Sequence, residues 1–131
     1  MAHGGVKQLS VLAENKRGAL AELCSELSKA AVNIRALMVP EEGRVAPIRM
    51  VVSDLAAAVK VFGRLGLKFN EEEVVSARLT DRPGALGRIT RKLSNHNIDV
   101  KYAYGSILPG AEKATVILAV SDVQAASKVI G

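Results

Sequence analysis

The segment Ala13-Glu-Asn-Lys-Arg-Gly-Ala-Leu20 returns 66 residues later as Leu79-Thr-Asp-Arg-Pro-Gly-Ala-Leu86. Self-similarity at a fixed interval means two copies of one supersecondary unit, and it restricts the fold more than any local propensity does. From Ser10 to Ala36 the offset stays at 66: Ser10, Gly18, Ala19, Leu20, Leu27 and Ser28 recur as Ser76, Gly84, Ala85, Leu86, Leu93 and Ser94. Asn15, Val32, Asn33 and Ile34 become Asp81, Ile98, Asp99 and Val100, so polarity or volume is kept where identity is not. The offset then becomes 68, matching Val52-Ser-Asp54 to Val120-Ser-Asp122 and Ala57, Ala58, Lys60, Val61 and Gly63 to Ala125, Ala126, Lys128, Val129 and Gly131. Two extra residues therefore fall in a loop of the second copy, where insertions are tolerated.

Division of 131 residues in two leaves units that can bury only a limited core. Each copy is expected to lean on the other or on a second chain. Aromatic residues make up 3% of the chain, so the core must be aliphatic. The single Cys24 excludes an intrachain disulfide and a multi-cysteine metal site, which fits a reducing compartment, and its spacing with Leu20, Leu23 and Leu27 points to core packing. No stretch is apolar for long enough to span a bilayer, and the N-terminus lacks the layout of a signal peptide. A cytoplasmic location is expected, with Met1–Gly5 as a flexible start. A net charge of +5 permits a nucleic-acid partner without requiring one.

The hydrophobic pattern orders the elements. Val6 to Ala13 alternates as a half-buried strand, and Leu20, Leu23, Cys24, Leu27 and Ala31 recur at helical spacing over about 19–30. Val32–Val39 reads as a second strand, Pro40–Gly43 as a turn and Ala46–Ser53 as a third strand. Asp54 is placed to cap a second helix that Gly63–Gly66 ends, and Leu67–Glu73 reads as a fourth strand. The second copy repeats this order with strands over 74–80, 98–104 and 113–121 and helices from Ala85 and Asp122, but it stops before a fourth strand. The predicted class is α+β: two ferredoxin-like βαββαβ units in tandem, residues 6–73 and 74–131, with antiparallel sheets, helices on one face, and the last strand missing from the second unit. Either a sheet margin is left for a neighbour, or the long segment Leu67–Leu79 serves both units.

A glycine between strand and helix allows positive φ or close backbone approach, and the helix behind it offers free N–H groups and a positive dipole end. Such a turn can hold a carboxylate or a phosphate, or it can simply make a tight connection. Polar companions accompany each glycine: Asn15 and Asp81 three residues before, Asn33 and Asp99 fifteen after. The latter pair can also serve as turn residues that tolerate left-handed backbone.

The pattern Asn/Asp-x-Pro-Gly-x-Leu before a helix, followed by Val/Ile-Asn/Asp-Ile/Val before the next strand, resembles the ACT domain, the small regulatory module of amino-acid metabolism. The resemblance is strongest over Asp81–Leu86 and Val32–Ile34 and covers nearly the whole chain twice. It implies units paired side by side, with an amino acid or related carboxylate held at the interface. It further implies contacts from Asn15, Arg17, Gly18, Ala19 and Asn33 in the first copy, and from Asp81, Pro83, Gly84, Ala85 and Asp99 in the second. Arg17 departs from the pattern where Pro83 keeps it, and Asp replaces Asn twice in the second copy. Ligand binding is therefore expected to differ between the two turns. A homodimer is the expected assembly, and regulation would act through an enzyme partner or through that assembly.

Nothing in the sequence assembles a catalytic triad, a phosphate loop or metal-ligand spacing, so no enzyme activity and no cofactor are expected. His96, at the end of a helix, reads as a cap. An RNA-recognition module shares the topology but stacks bases on central-strand aromatics; here those strands read Ile48–Val52 and Thr115–Ala119, with tyrosines only at 102 and 104. A ligand-free interaction subunit is the other alternative. Glu22, Ser25 and Glu26 are replaced by Arg88, Arg91 and Lys92 at matching positions, which would let opposite faces pair.

Overall fold

The computed structural model describes residues 3–14, 16–41, 43–106, 110 and 112–130. Its elements are β1 (His3–Glu14), α1 (Ala19–Lys29), β2 (Ile34–Met38), β3 (Val45–Val52), α2 (Leu55–Arg64), β4 (Phe69–Thr80), α3 (Ala85–Asn95), β5 (Val100–Ser106), β6 (Lys113–Val120) and α4 (Val123–Ile130). They form two compact units, residues 7–72 and residues 73–131 together with 1–6.

In the 7–72 unit the strand order is β2-β3-β1-β4. Leu9, Val11 and Ala13 of β1 stand opposite Met50, Ile48 and Ala46 of antiparallel β3, and all six are buried. Leu23 and Leu27 of α1 and Ala58, Val61 and Phe62 of α2 close over them. The 73–131 unit has the order β1-β4-β6-β5. There Val75, Ala77 and Leu79 face Leu118, Val116 and Ala114 in the same register, covered by Ile89, Leu93, Ala126 and Ile130. Even the irregularity repeats: the shift between Ile34 and Ala36 returns between Val100 and Tyr102. Cys24 is half-buried at the rim of α1 rather than in its core.

Strand assignment departs from the sequence reading in two places. His3–Gly5, read as part of a flexible start, belong to β1, and residues 3–6 take the fourth-strand position of the 73–131 unit. Strand pairing overrides the poor intrinsic preference of Gly4-Gly5, because β-propensity depends on neighbours more than on the residue itself. The two strands expected over 67–73 and 74–80 are one strand, β4, whose first residues close one unit and whose remainder opens the other. No strand follows α4 among the described residues.

Helix ends repeat as well. Val32 donates to Leu27 C=O (2.9 Å) and Ala31 to Ser28 C=O (2.9 Å); Ile98 and Asn97 donate likewise to Leu93 (2.9 Å) and Ser94 (3.0 Å). These paired bonds close α1 and α3 with a left-handed residue, Ala31 at φ 59° and Asn97 at φ 57°. Left-handed backbone therefore sits two residues before Asn33 and Asp99, which removes the turn reading for those two positions.

Candidate functional site

Each glycine turn has the geometry of a type II turn leading into a helix. Gly18 lies at φ 86°, ψ −9° and Gly84 at φ 89°, ψ −7°. Ala19 donates to Lys16 C=O and Ala85 to Arg82 C=O, both at 3.2 Å. The third residue of such a turn needs positive φ, which glycine adopts without steric cost. The second residue is Arg17 in one copy and Pro83 in the other. Because proline pre-sets φ there, Arg17→Pro should raise stability by about 0.4–1 kcal/mol, read as a shift in the denaturation midpoint.

Neither helix start carries a side-chain cap. Beyond Ala19 and Ala85, whose N–H groups the turn itself takes up, the first-turn N–H groups that a helix cannot satisfy internally are left to solvent or ligand. The other helices contrast with this: Asp54 accepts from Ala57 N–H (3.1 Å) and Asp122 from Ala125 N–H (3.0 Å). Asp81 stands at the centre of a tighter turn in which Arg82 N–H donates to Thr80 C=O (2.8 Å). Asn15 lies outside the described residues.

Asn33 and Asp99 are held by their backbones. Asn33 N–H donates to Ser53 Oγ (2.9 Å) and its carbonyl accepts from Ser53 N–H (2.9 Å); Asp99 and Ser121 repeat both bonds at 3.0 Å. The repeated Ser-Asp pairs thus clamp the start of one strand and cap a helix. Asp99 borders a shallow hollow with Thr90, Ser94 and Asn97, at the far end of α3 from Gly84. An eleven-residue helix is about 16 Å long, so a single unit does not bring Asp99 to its own glycine turn.

A hollow does open beside each turn. In the 7–72 unit Glu14, Lys16, Ala19 and Glu22 surround about 190 Å³. In the 73–131 unit Thr80, Arg82, Ala85, Arg88 and Lys92 surround about 280 Å³. Ala19 and Ala85 are the two candidate residues lining them. Glu14, Lys16, Thr80 and Arg82 were not among the sequence candidates, although the 66-residue offset pairs them. Glu26, the counterpart of Lys92, is engaged within its own unit by Arg64 (3.2 Å) and Lys29 (3.3 Å). The Arg64 hydrogen bond, and then that of Lys29, hold its carboxyl below the ordinary carboxylate range.

Among the described residues no three His, Cys, Asp or Glu side chains come together as a metal site. No described helix is long and apolar enough to cross a membrane. His96 caps α3, with Nδ1 2.9 Å from Lys92 C=O. Tyr102 and Tyr104 lie on β5, last in its unit's strand order, and that unit's central strands, residues 73–80 of β4 and β6, carry no aromatic on which a base could stack.

Two units with the strand order of the ferredoxin-like fold, each with a glycine turn leading into an uncapped helix, define a paired ACT architecture. The family model of the ACT domain pair matches residues 4–130, and the chain belongs to that family. Among solved structures it is similar to protein BT0572 from Bacteroides thetaiotaomicron, with 29% identity and a TM-score of 0.90 over 98% of this chain and 88% of that one. It is also similar to the ligand-free regulatory subunit of aspartate kinase from Thermus thermophilus, with 9% identity and a TM-score of 0.70 over 99% and 95% of the two chains. The aspartate kinase of Clostridium acetobutylicum, described as an allosteric enzyme, shares the fold at 15% identity and a TM-score of 0.62, over 98% of this chain and 33% of that one. No curated protein gives a significant sequence match.

Proposed function

We propose that this chain is a regulatory, non-catalytic module that binds a small amino acid or related carboxylate at its glycine turns. The observation that carries the reading is the pair of uncapped helix starts behind left-handed glycines in an ACT domain pair. A ligand carboxylate would accept from the free first-turn N–H groups, favoured by the positive end of the helix dipole. Arg17 and Pro83 shape the two turns, while Asn33 and Asp99 would complete a site only from another unit or another copy of the chain. That requirement motivates the homodimer. The structural likeness to aspartate kinase regulatory subunits supports action on an enzyme partner. Such action needs a ligand that favours one state of the assembly over another.

A thermal-shift screen of the twenty amino acids tests this. A ligand that binds only the folded chain at a hundred times its Kd adds about 2.7 kcal/mol of stability, and Gly18→Val or Gly84→Val should remove the response. No shift with any amino acid, in a chain that folds and self-associates, would overturn it in favour of a ligand-free interaction subunit.

A further inference from the structure

The two hollows beside the glycine turns occupy the same place in their units and carry opposite charge. In the 7–72 unit the single cation, Lys16, is already paired with Glu14 at 3.1 Å, and Glu22 adds a second carboxylate. In the 73–131 unit the charged side chains among the described lining residues are Arg82, Arg88 and Lys92, and none of those residues is acidic. Among the described residues none of these three cations has an acidic group within ion-pair distance.

That arrangement opposes stability when the hollow is empty. Arg88 and Lys92 are four residues apart on α3, a spacing at which like charges repel. Arg88 is folded back over the turn, with its Nη1 3.1 Å from where a Cβ on Gly84 would stand. The remaining lining includes buried Leu79, Ile89 and Ile130, an apolar floor beside which Coulomb attraction is stronger than in bulk water. Thr80 adds a hydroxyl donor.

We propose that this hollow binds a compact dianion, a phosphate ester or a dicarboxylate. Guanidinium groups match the planar, two-oxygen edge of either. About 280 Å³ has room for a small metabolite. An amino acid would be held there by its carboxylate alone, since no acidic side chain among the described lining residues receives its ammonium, so a second negative charge adds affinity. The proposal does not depend on the amino-acid reading.

The test is calorimetric titration of the full chain with inorganic phosphate at about pH 8, where it is a dianion. Malonate, acetate and glycine are titrated in parallel at matched ionic strength. Phosphate or malonate should bind saturably, one per chain, at least about tenfold more tightly than acetate or glycine. Whichever of the two binds better assigns the phosphate-ester or the dicarboxylate source. Arg88→Glu, which installs the other unit's charge, should weaken the dianion at least about tenfold. Arg91→Glu makes the same charge change on the same helix outside the hollow and should stay within about twofold; Arg88→Gln serves if the glutamate variant fails to fold. Absence of saturable dianion binding, or an equal loss in Arg91→Glu, overturns the site. An amino-acid response that survives in Arg88→Glu while dianion binding is lost separates this site from the glycine-turn ligand.

Discussion

Replacing Phe62 by alanine should lower the unfolding free energy by about 3–5 kcal/mol, the range for deleting a large buried aromatic. Phe62 is fully buried, the largest such side chain among the described residues. Its ring lies 5.7 Å from that of Phe69 at 55°, a tilted pair of the kind that contributes about 0.5–1.5 kcal/mol beyond area burial. The same residue closes α2, because Leu67 N–H donates to Phe62 C=O at 3.0 Å and β4 follows directly. A cavity there would loosen the helix end and the entry to β4 together. Phe62→Ile should cost clearly less, since the second copy places Ile130 at the corresponding position. Urea denaturation with a fixed m-value reads both variants. A loss below about 1 kcal/mol for the alanine variant would mean that the aliphatic neighbours collapse into the space.

Gly105→Val should lower stability by about 1–3 kcal/mol through overpacking rather than through a cavity. A Cβ on Gly105 would stand 2.8 Å from Thr115 C=O, 3.0 Å from Val116 Cγ2 and 3.1 Å from Val116 Cα. Gly105 pairs with Val116 in the antiparallel β5–β6 ladder, so two of these three contacts are backbone atoms that cannot rotate away. The strand itself must shift. Gly87, in the first turn of α3, has open space where its Cβ would be. Gly87→Ala should therefore act in the opposite direction, stabilising by about 0.5–1 kcal/mol through helix propensity and unfolded-state entropy. Paired thermal melts of the two variants should move apart, and a destabilised Gly87→Ala would show that α3 is not limited by its glycine.

Much of the fold was legible because its signals are local and occur twice. The alternation of Leu9, Val11 and Ala13, the caps at Asp54 and Asp122, and the left-handed glycines at 18 and 84 each follow from a few consecutive residues. Duplication made each signal checkable against its copy. The candidate site was less legible. Asn33 and Asp99 were singled out for their side chains, whereas the structure ties down their backbones through Ser53 and Ser121. Those serines are twenty and twenty-two residues away, and no periodicity connects them to their partners.

From the sequence alone follow the two βαββαβ copies, their element order and the positions of the two turns, because short-range sterics and periodic burial decide these. Only the tertiary structure decided which strand completes the second unit. Residues 3–6 take that position beside β4, a strand distant in sequence, against the local preference of Gly4-Gly5. Tertiary packing also gathers Arg82, Arg88 and Lys92 around one hollow with Ile130, while Glu22 and Lys16 line its counterpart. Charge in a sequence has sign but no place, and its meaning at a site comes from which distant apolar residues form the floor beneath it.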